Sequence, residues 1–186
     1  MIKTYIEEKT FEKIEVLTKG DYERCRFLGC NFSGVDLSGI TFSECEFSNC
    51  NLSMAKINNM ALKGVRFIGC KLLGLHFENC NAFLFSVDFE NCMLNLASFY
   101  KLGLKKTRFK DCSLHEVDFS ECNLSSAIFD NCDMHSAKFE RTILEGADFR
   151  TAYNYSINPE INKMKKAKFS ANGIAGLLDK YGIEIE

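Results

Sequence analysis

Bulky apolar residues recur at every fifth position over most of this chain. In CRFLGCNFSGVDLSGITFSECEFSNCNLSMAKI they are Phe27, Phe32, Leu37, Phe42, Phe47, Leu52 and Ile57, and the beat continues through Leu62, Phe67, Leu72 and Phe77. A second run starts at Leu84 and Phe89. It proceeds through Leu94, Phe99, Leu104, Phe109, Leu114, Phe119, Leu124, Phe129, Met134, Phe139, Leu144 and Phe149. A small residue usually stands two positions earlier: Cys25, Cys30, Val35, Cys45, Cys50 and Ala55, then Cys92, Ala97, Cys112, Val117, Cys122, Ala127, Cys132 and Ala137.

A period of five matches neither the helix at 3.6 nor the plain strand at 2. It matches a composite unit, in which small–x–large is a three-residue extended segment pointing in, out and in. The remaining two positions then turn the chain. Their residues suit turns: Ser33, Ser38, Ser43, Ser48, Ser53 and Ser125 come first, and Gly29, Gly34, Gly39, Gly64, Gly69, Gly74 and Gly146 second. Asn49, Asn79, Asn91, Asn131 and Asp111 share the second slot. Four corners close a coil of about twenty residues, stacked about 4.8 Å from the next. Phe89, Phe109, Phe129 and Phe149 form one ladder at that spacing, and Leu84, Leu104, Leu124 and Leu144 form another.

The beat is interrupted once, at CNAFLFSVDF. From Phe77 to Leu84 is seven residues, so two are inserted at residues 80–84. The pattern predicts an inward Leu84 flanked by outward Phe83 and Phe85, a candidate surface at the register shift. Residues 1–19 precede the regular beat and read as an N-terminal cap, with Tyr5, Ile6, Phe11, Ile14 and Val16 available to cover the open core. Residues 20–154 carry the repeat and 155–186 form a closing segment. Within it, Ser170 predicts the N-cap of a short α-helix near 171–181 and Gly182 its end. Ile174, Leu177, Leu178 and Tyr181 give that helix one apolar face, and IEIE reads as a short strand.

All ten cysteines fall in the small inward slot. Cys30, Cys50 and Cys70 are expected to stack along one side and Cys92, Cys112 and Cys132 along another, as compact core filler. A shaft filled with Phe, Leu and Cys leaves no pocket for catalysis, and no phosphate-loop, dinucleotide or zinc motif appears. No enzyme activity and no cofactor are expected. His115 and His135, twenty apart near Glu116, stack without a third strong ligand, so no metal site is expected either. No apolar run is long enough to span a bilayer and the charged N-terminus lacks a signal-peptide core, which predicts a cytoplasmic protein with no membrane partner.

The family becomes recognisable in these tandem units. A small residue two before Leu or Phe, repeated over residues 20–154, resembles the pentapeptide-repeat proteins. The resemblance implies an all-β solenoid, a right-handed quadrilateral parallel β-helix with a short C-terminal α-helix cap. CNFSGVDLSGITF, NLSMAKI and GIAGLLDKYGIEIE further resemble the quinolone-resistance (Qnr-type) branch and its MfpA-type relatives. That branch implies binding to a type II DNA topoisomerase, gyrase or topoisomerase IV, by DNA mimicry. It also implies a homodimer formed through the C-terminal segment. The other class of reading is a scaffolding solenoid with an unrelated protein partner.

Charge enters last. The whole chain carries only −2, but Glu116, Asp118, Glu121, Asp130, Asp133, Glu140, Glu145 and Asp148 face only Lys138 and Arg141 over residues 116–148, a local balance of −6. They are the candidate partner-facing acidic surface. Basic residues cluster at Lys101, Lys105, Lys106, Arg108 and Lys110, and at Lys163, Lys165, Lys166 and Lys168. The aromatic residues point inward, so direct nucleic-acid binding is not expected.

Overall fold

In a computed structural model describing residues 4–184, the five-residue beat winds into a four-sided parallel β-solenoid. Phe27, Phe32, Leu37 and Phe42 are buried, while the intervening Arg26, Asn31 and Asp36 are exposed. Strand alternation thus operates over only three residues per side. Two sides are regular enough to form sheets. One joins β1 (Thr4–Glu7), β3 (Gly20–Glu23), β5 (Thr41–Ser43) and β7 (Ala61–Lys63). The other joins β2 (Thr10–Glu12), β4 (Arg26–Leu28), β6 (Glu46–Ser48), β8 (Val65–Ile68), β9 (Val87–Glu90), β10 (Arg108–Lys110) and β11 (Ile128–Asp130). The remaining sides are ladders of single parallel bridges, such as Asn31↔Asn51 and Asp118↔Lys138.

We number the sides by their inward residues. The first holds Phe27, Phe47, Phe67, Phe89, Phe109 and Phe129; the second Leu52, Leu72, Leu94, Leu114 and Met134. The third holds Ile57, Phe77, Phe99, Phe119 and Phe139; the fourth Phe42, Leu62, Leu104, Leu124 and Leu144. Along the first side the rings stack from Phe11 to Phe169, with centroids 4.5 Å apart at Phe27–Phe47 and 5.0 Å at Phe109–Phe129. Phe99 and Phe119 stack likewise on the third side at 5.4 Å and meet the first-side rings edge-on. The core is therefore continuous, and each ring is held by offset and T-shaped contacts together.

The second corner residue of most repeats is left-handed. Gly34 has φ 68°, Asn49 54° and Asp111 52°, as their residue types favour. Its N–H donates to the next coil, as in Asn49 to the Ile68 carbonyl at 2.8 Å. That bond also forms where the residue is ill suited: Leu96 and Lys106 both adopt φ 62° and donate to His115 and Ser125. Asn79 departs from the expectation. It ends a single 3₁₀ turn, Phe77–Asn79, closed by Cys80 N–H to the Phe77 carbonyl at 2.9 Å.

The N-terminal segment is a shortened coil. Thr4 pairs with Gly20 and Thr10 with Arg26, and Ile6, Phe11 and Ile14 pack on the core. Tyr5 and Val16 do not cover the opening; they are 58% and 80% exposed. Strand alternation turns Tyr5 outward, where its hydroxyl donates to Glu23 at 2.8 Å.

At the register shift the structure corrects the pattern. Asn81 N–H still bonds the Met60 carbonyl, but Val65 pairs with Val87, two residues beyond the regular spacing. The insertion thus lies between Asn81 and Ser86. A turn closes it, with Phe85 N–H donating to the Ala82 carbonyl at 3.4 Å and Leu84 left-handed at φ 60°. Leu84 is not inward: it is 59% exposed, beside Phe83 at 73%. Phe85 instead turns inward, packs on the core and meets Phe77 edge-on at 6.2 Å. The core vacancy left by the missing beat takes whichever apolar side chain the turn aims at it.

The same shift merges the cysteines. Lys71 pairs with Met93, so Cys70 is followed by Cys92 on one side of the shaft. Cys30, Cys50, Cys70, Cys92, Cys112 and Cys132 form a single column, not two. All ten thiols are buried and unbridged. They donate weakly to neighbouring carbonyls, as Cys50 does to Phe27 at 3.2 Å and Cys122 to Phe99 at 2.7 Å. Burial pushes the Cys45, Cys80 and Cys122 thiols up to about 12, which keeps them protonated and inert. Thr142 takes the same slot next to Cys122 and donates to Phe119 at 2.9 Å.

The helix expected near 171–181 is a 3₁₀ helix, Ala171–Leu177, followed by a second turn, Asp179–Tyr181. Ser170 caps it, accepting from Gly173 N–H at 3.1 Å, and Gly182 ends it at φ 59°. The physical reason for 3₁₀ winding is Tyr155. A Cβ at Gly173 would lie 2.0 Å from the Tyr155 hydroxyl, and one at Gly176 would lie 2.1 Å from its carbonyl oxygen. At three residues per turn, residues three apart sit directly above one another, so both glycines face Tyr155. Ile157 N–H also bonds the Gly176 carbonyl at 2.8 Å, tying helix to shaft. The strand read from IEIE is absent at Ile183–Glu184, and its last two residues, like the first three of the N-terminal cap, lie outside the described residues.

Two substitutions test this packing. Phe109→Ala removes a fully buried ring from the middle of the stack and should cost about 3–5 kcal/mol in urea denaturation. Gly176→Ala should release the C-terminal helix, read as faster proteolytic cleavage near residue 170, while leaving most of the shaft's far-UV signal intact.

Candidate interaction surface

With the core filled, functional chemistry is confined to the outward positions. These are the middle residue of each three-residue segment and the two corner residues. Coil stacking then sets which side chains meet: residues one coil apart lie about 4.8 Å apart along the shaft. On the first side this aligns Arg26, Glu46, Arg66, Asp88 and Arg108, alternating in sign. Arg66 reaches Glu46 at 3.5 Å, and Asp88 accepts from the Arg108 backbone N–H at 2.8 Å. Like charges at this spacing repel and opposite charges attract, so this side is electrostatically self-satisfied. A shallow groove there, lined by Arg66, Asp88, Glu90, Arg108 and Lys110, has its charges paired internally, including Glu90–Lys110 at 2.6 Å.

The eight candidate carboxylates divide among the sides. Glu116, Asp118, Glu121 and Glu140 gather on the third side and its corners, where Glu78 joins them. Asp130 and Asp148 sit on the first side, Asp133 on the second and Glu145 on the fourth. Several are neutralised locally. Glu121 is held by Arg141 at 3.0 Å, with Lys101 at 3.6 Å, and Arg141 above all lowers its pKa. Asp130 pairs with Arg108 at 3.2 Å and Asp148 with Arg150 at 2.7 Å. Among the described residues Glu116, Glu140 and Glu145 form no ion pair. Glu78 escaped sequence reasoning because it precedes the acidic segment; its membership comes from coil geometry alone.

His115 and His135 do meet on one corner, but edge-on rather than face to face, with centroids 5.8 Å apart and ring planes at 73°. His115 Nε2 lies 2.8 Å from Asp133 Oδ2, and Asn154 donates to Asp133 at 2.8 Å. Burial alone would raise the Asp133 pKa, but these contacts outweigh it and lower it. Among the described residues no three His, Cys, Asp or Glu side chains converge as a metal site would require. No helix of the described residues is long and apolar enough to cross a membrane.

The C-terminal candidates separate as well. The helix is broken into two 3₁₀ turns, and Ile174, Leu177, Leu178 and Tyr181 do not form one buried face. Leu177 packs on the core and Leu178 is half-buried, whereas Ile174 and Tyr181 are 48% and 54% exposed. Tyr181 donates to Glu160 at 2.9 Å, which Lys180 also pairs. With Ile161 and Ile183, the outward Ile174 and Tyr181 leave exposed apolar surface at this end.

The pentapeptide repeat region family matches the chain over residues 17–83 and 82–153. A trypsin-treated variant of QnrB1, a plasmid-mediated fluoroquinolone resistance protein, superposes with a TM-score of 0.58 at 19% identity, covering 100% of both chains. Full-length QnrB1 gives 0.53 at 19% identity, over 96% of this chain and 97% of that one. No curated protein matches at the sequence level. The structural likeness is one of fold.

The Asp148–Arg150 contact yields a pH prediction. The hydrogen bonds from Arg150 lower the Asp148 pKa in the folded state. Its stabilising effect is therefore present above the normal carboxylate range and lost as pH falls through the lowered folded value. Asp148→Asn should lower the Tm at pH 7, and the difference from wild type should vanish on acidification.

Proposed function

The chain belongs to the pentapeptide-repeat family, and we propose that it binds a type II DNA topoisomerase as a non-enzymatic DNA mimic, modulating supercoiling or fluoroquinolone sensitivity. The observation that carries this reading is that Glu78, Glu116, Asp118, Glu121 and Glu140 share the third side of the solenoid and its corners, interleaved there with Lys101, Lys138 and Arg141. Duplex DNA presents a charge about every 1.7 Å along its axis. The carboxylates of this side that form no ion pair among the described residues, Glu116 and Glu140 included, offer a topoisomerase's DNA-binding saddle a partial equivalent without a scissile backbone. The shared solenoid architecture with QnrB1 supports the choice of partner. The chain pairs tail to tail through its C-terminal end, where Ile161, Ile174, Tyr181 and Ile183 are exposed.

A second reading, a scaffolding solenoid with an unrelated protein partner, is favoured by the local neutralisation of Glu121, Asp130, Asp133 and Asp148. A gyrase supercoiling titration, with and without a fluoroquinolone, separates the two. The topoisomerase reading expects inhibition or protection at micromolar protein. It also expects a loss of about ten-fold or more in potency when Glu116, Asp118 and Glu140 are all changed to Lys, since mutating buried or paired charges at an interface has effects of that size. No effect of the wild-type protein under either condition would rule it out. A monomeric mass in light scattering would refute the dimer.

A further inference from the structure

One side of the solenoid is basic although the chain is not. Around and above the register shift, the fourth side and its far corner present Lys63, Lys105, Lys106, Lys163, Lys165 and Lys166 outward, with Glu145 as the carboxylate among them; Glu121, Glu140 and Glu160 lie at the opposite corner, shared with the third side. The ladder Gly103↔Asn123, Asn123↔Ile143 and Ile143↔Lys163 sets this alignment. In sequence these lysines form separate groups. Among the described residues none of the six has an ion-pair partner.

The same side carries the exposed turn. Phe83 and Leu84 project at 73% and 59% exposure. The turn is anchored on the coil below through Asn81 N–H to Met60 and Ser86 N–H to Leu62, both at 2.9 Å. Lys63 therefore lies beneath the prong, and Lys105 and Lys106 lie in the coil above. Between them the outward residues are uncharged apart from Glu145: Ala61, Gly64, Gly103, Asn123, Ser125, Ser126, Ile143 and Gly146. The result is a flat basic side with one apolar prong.

We propose that this side docks on an anionic lipid bilayer, with Phe83 and Leu84 inserted at the headgroup level and the lysines against the lipid phosphates. Charge complementarity requires an anionic partner. The prong selects among anionic partners, because a bilayer accepts an exposed Phe–Leu pair at the headgroup level without rearrangement, whereas duplex DNA must unstack its bases to receive one. A convex tip on a flat side contacts a plane along the whole rod. A short apolar prong and a basic patch each bind a membrane weakly, and stable attachment uses two such signals together. The lysines and the prong are residues other than those of the proposed topoisomerase surface on the adjacent side, so either proposal can fail without the other.

Vesicle flotation tests the proposal with the full chain. It should float with mixed phosphatidylcholine–phosphatidylglycerol vesicles at low salt, and not with phosphatidylcholine alone. Raising the salt should release it, because screening shortens the reach of the lysines. Phe83→Ser with Leu84→Ser should weaken binding by about ten-fold or more, as loss of one of two anchoring signals does. Lys105→Glu with Lys106→Glu should do the same. All four residues are exposed, so the variants should keep the wild-type Tm. The chain has no tryptophan, so Phe83→Trp supplies a single emitter whose fluorescence should shift to the blue on adding anionic vesicles. Absence of flotation, equal binding to neutral vesicles, unchanged binding of the Ser variants, an unshifted tryptophan, or tighter binding to duplex DNA than to vesicles would each overturn it.

Discussion

Everything in this molecule depends on the registration of one coil against the next. The hydrogen bonds between coils are short and numerous, such as Phe32 N–H to the Asn51 carbonyl at 2.7 Å. They hold every side chain directly over its counterpart one turn away. Stacking at that spacing rewards identity in the core, hence the continuous phenylalanine column from Phe11 to Phe169. On the outside it rewards alternation of charge, as in Arg26, Glu46, Arg66, Asp88 and Arg108. The same geometric rule therefore produces a uniform interior and a patterned exterior.

Registration also explains the left-handed corners. The second corner N–H must point along the shaft to reach the next coil, and only a positive φ aims it there. Glycine and asparagine meet this requirement at little cost. Leu96, Lys101 and Arg141 meet it too, at φ 62°, 62° and 50°, because one bond in a continuous ladder outweighs the strain of a single residue. Where the ladder breaks, on the fourth side above Asn81, the chain forms a turn that exposes two adjacent apolar side chains, Phe83 and Leu84.

The functional consequence is segregation by side. Carboxylates from separate segments meet on the third side among Lys101, Lys138 and Arg141, while lysines from three distant segments meet on the fourth. Neither collection reflects the net charge of −2. A rigid rod with distinct faces suits a binding protein, since it can present one chemistry without disturbing another.

The sequence by itself determined the coil. A period of five with small–x–large spacing admits one alternation of in and out, so the core residues, the buried cysteines and the corner positions were legible from residue types alone. It also located the phase change to within a few residues, because a lost beat is visible in any periodic signal. Three things were decided only in three dimensions. Phe85 rather than Leu84 fills the core, because the hydrogen bond from Phe85 to Ala82 sets the direction of the turn. The C-terminal helix winds as 3₁₀ with Gly173 and Gly176 close against Tyr155, a contact across residues far apart in the chain. Which charges share a side depends on stacking modulo a twenty-residue coil with a two-residue slip. A linear reading sees runs of charge, and only the closed coil turns them into faces.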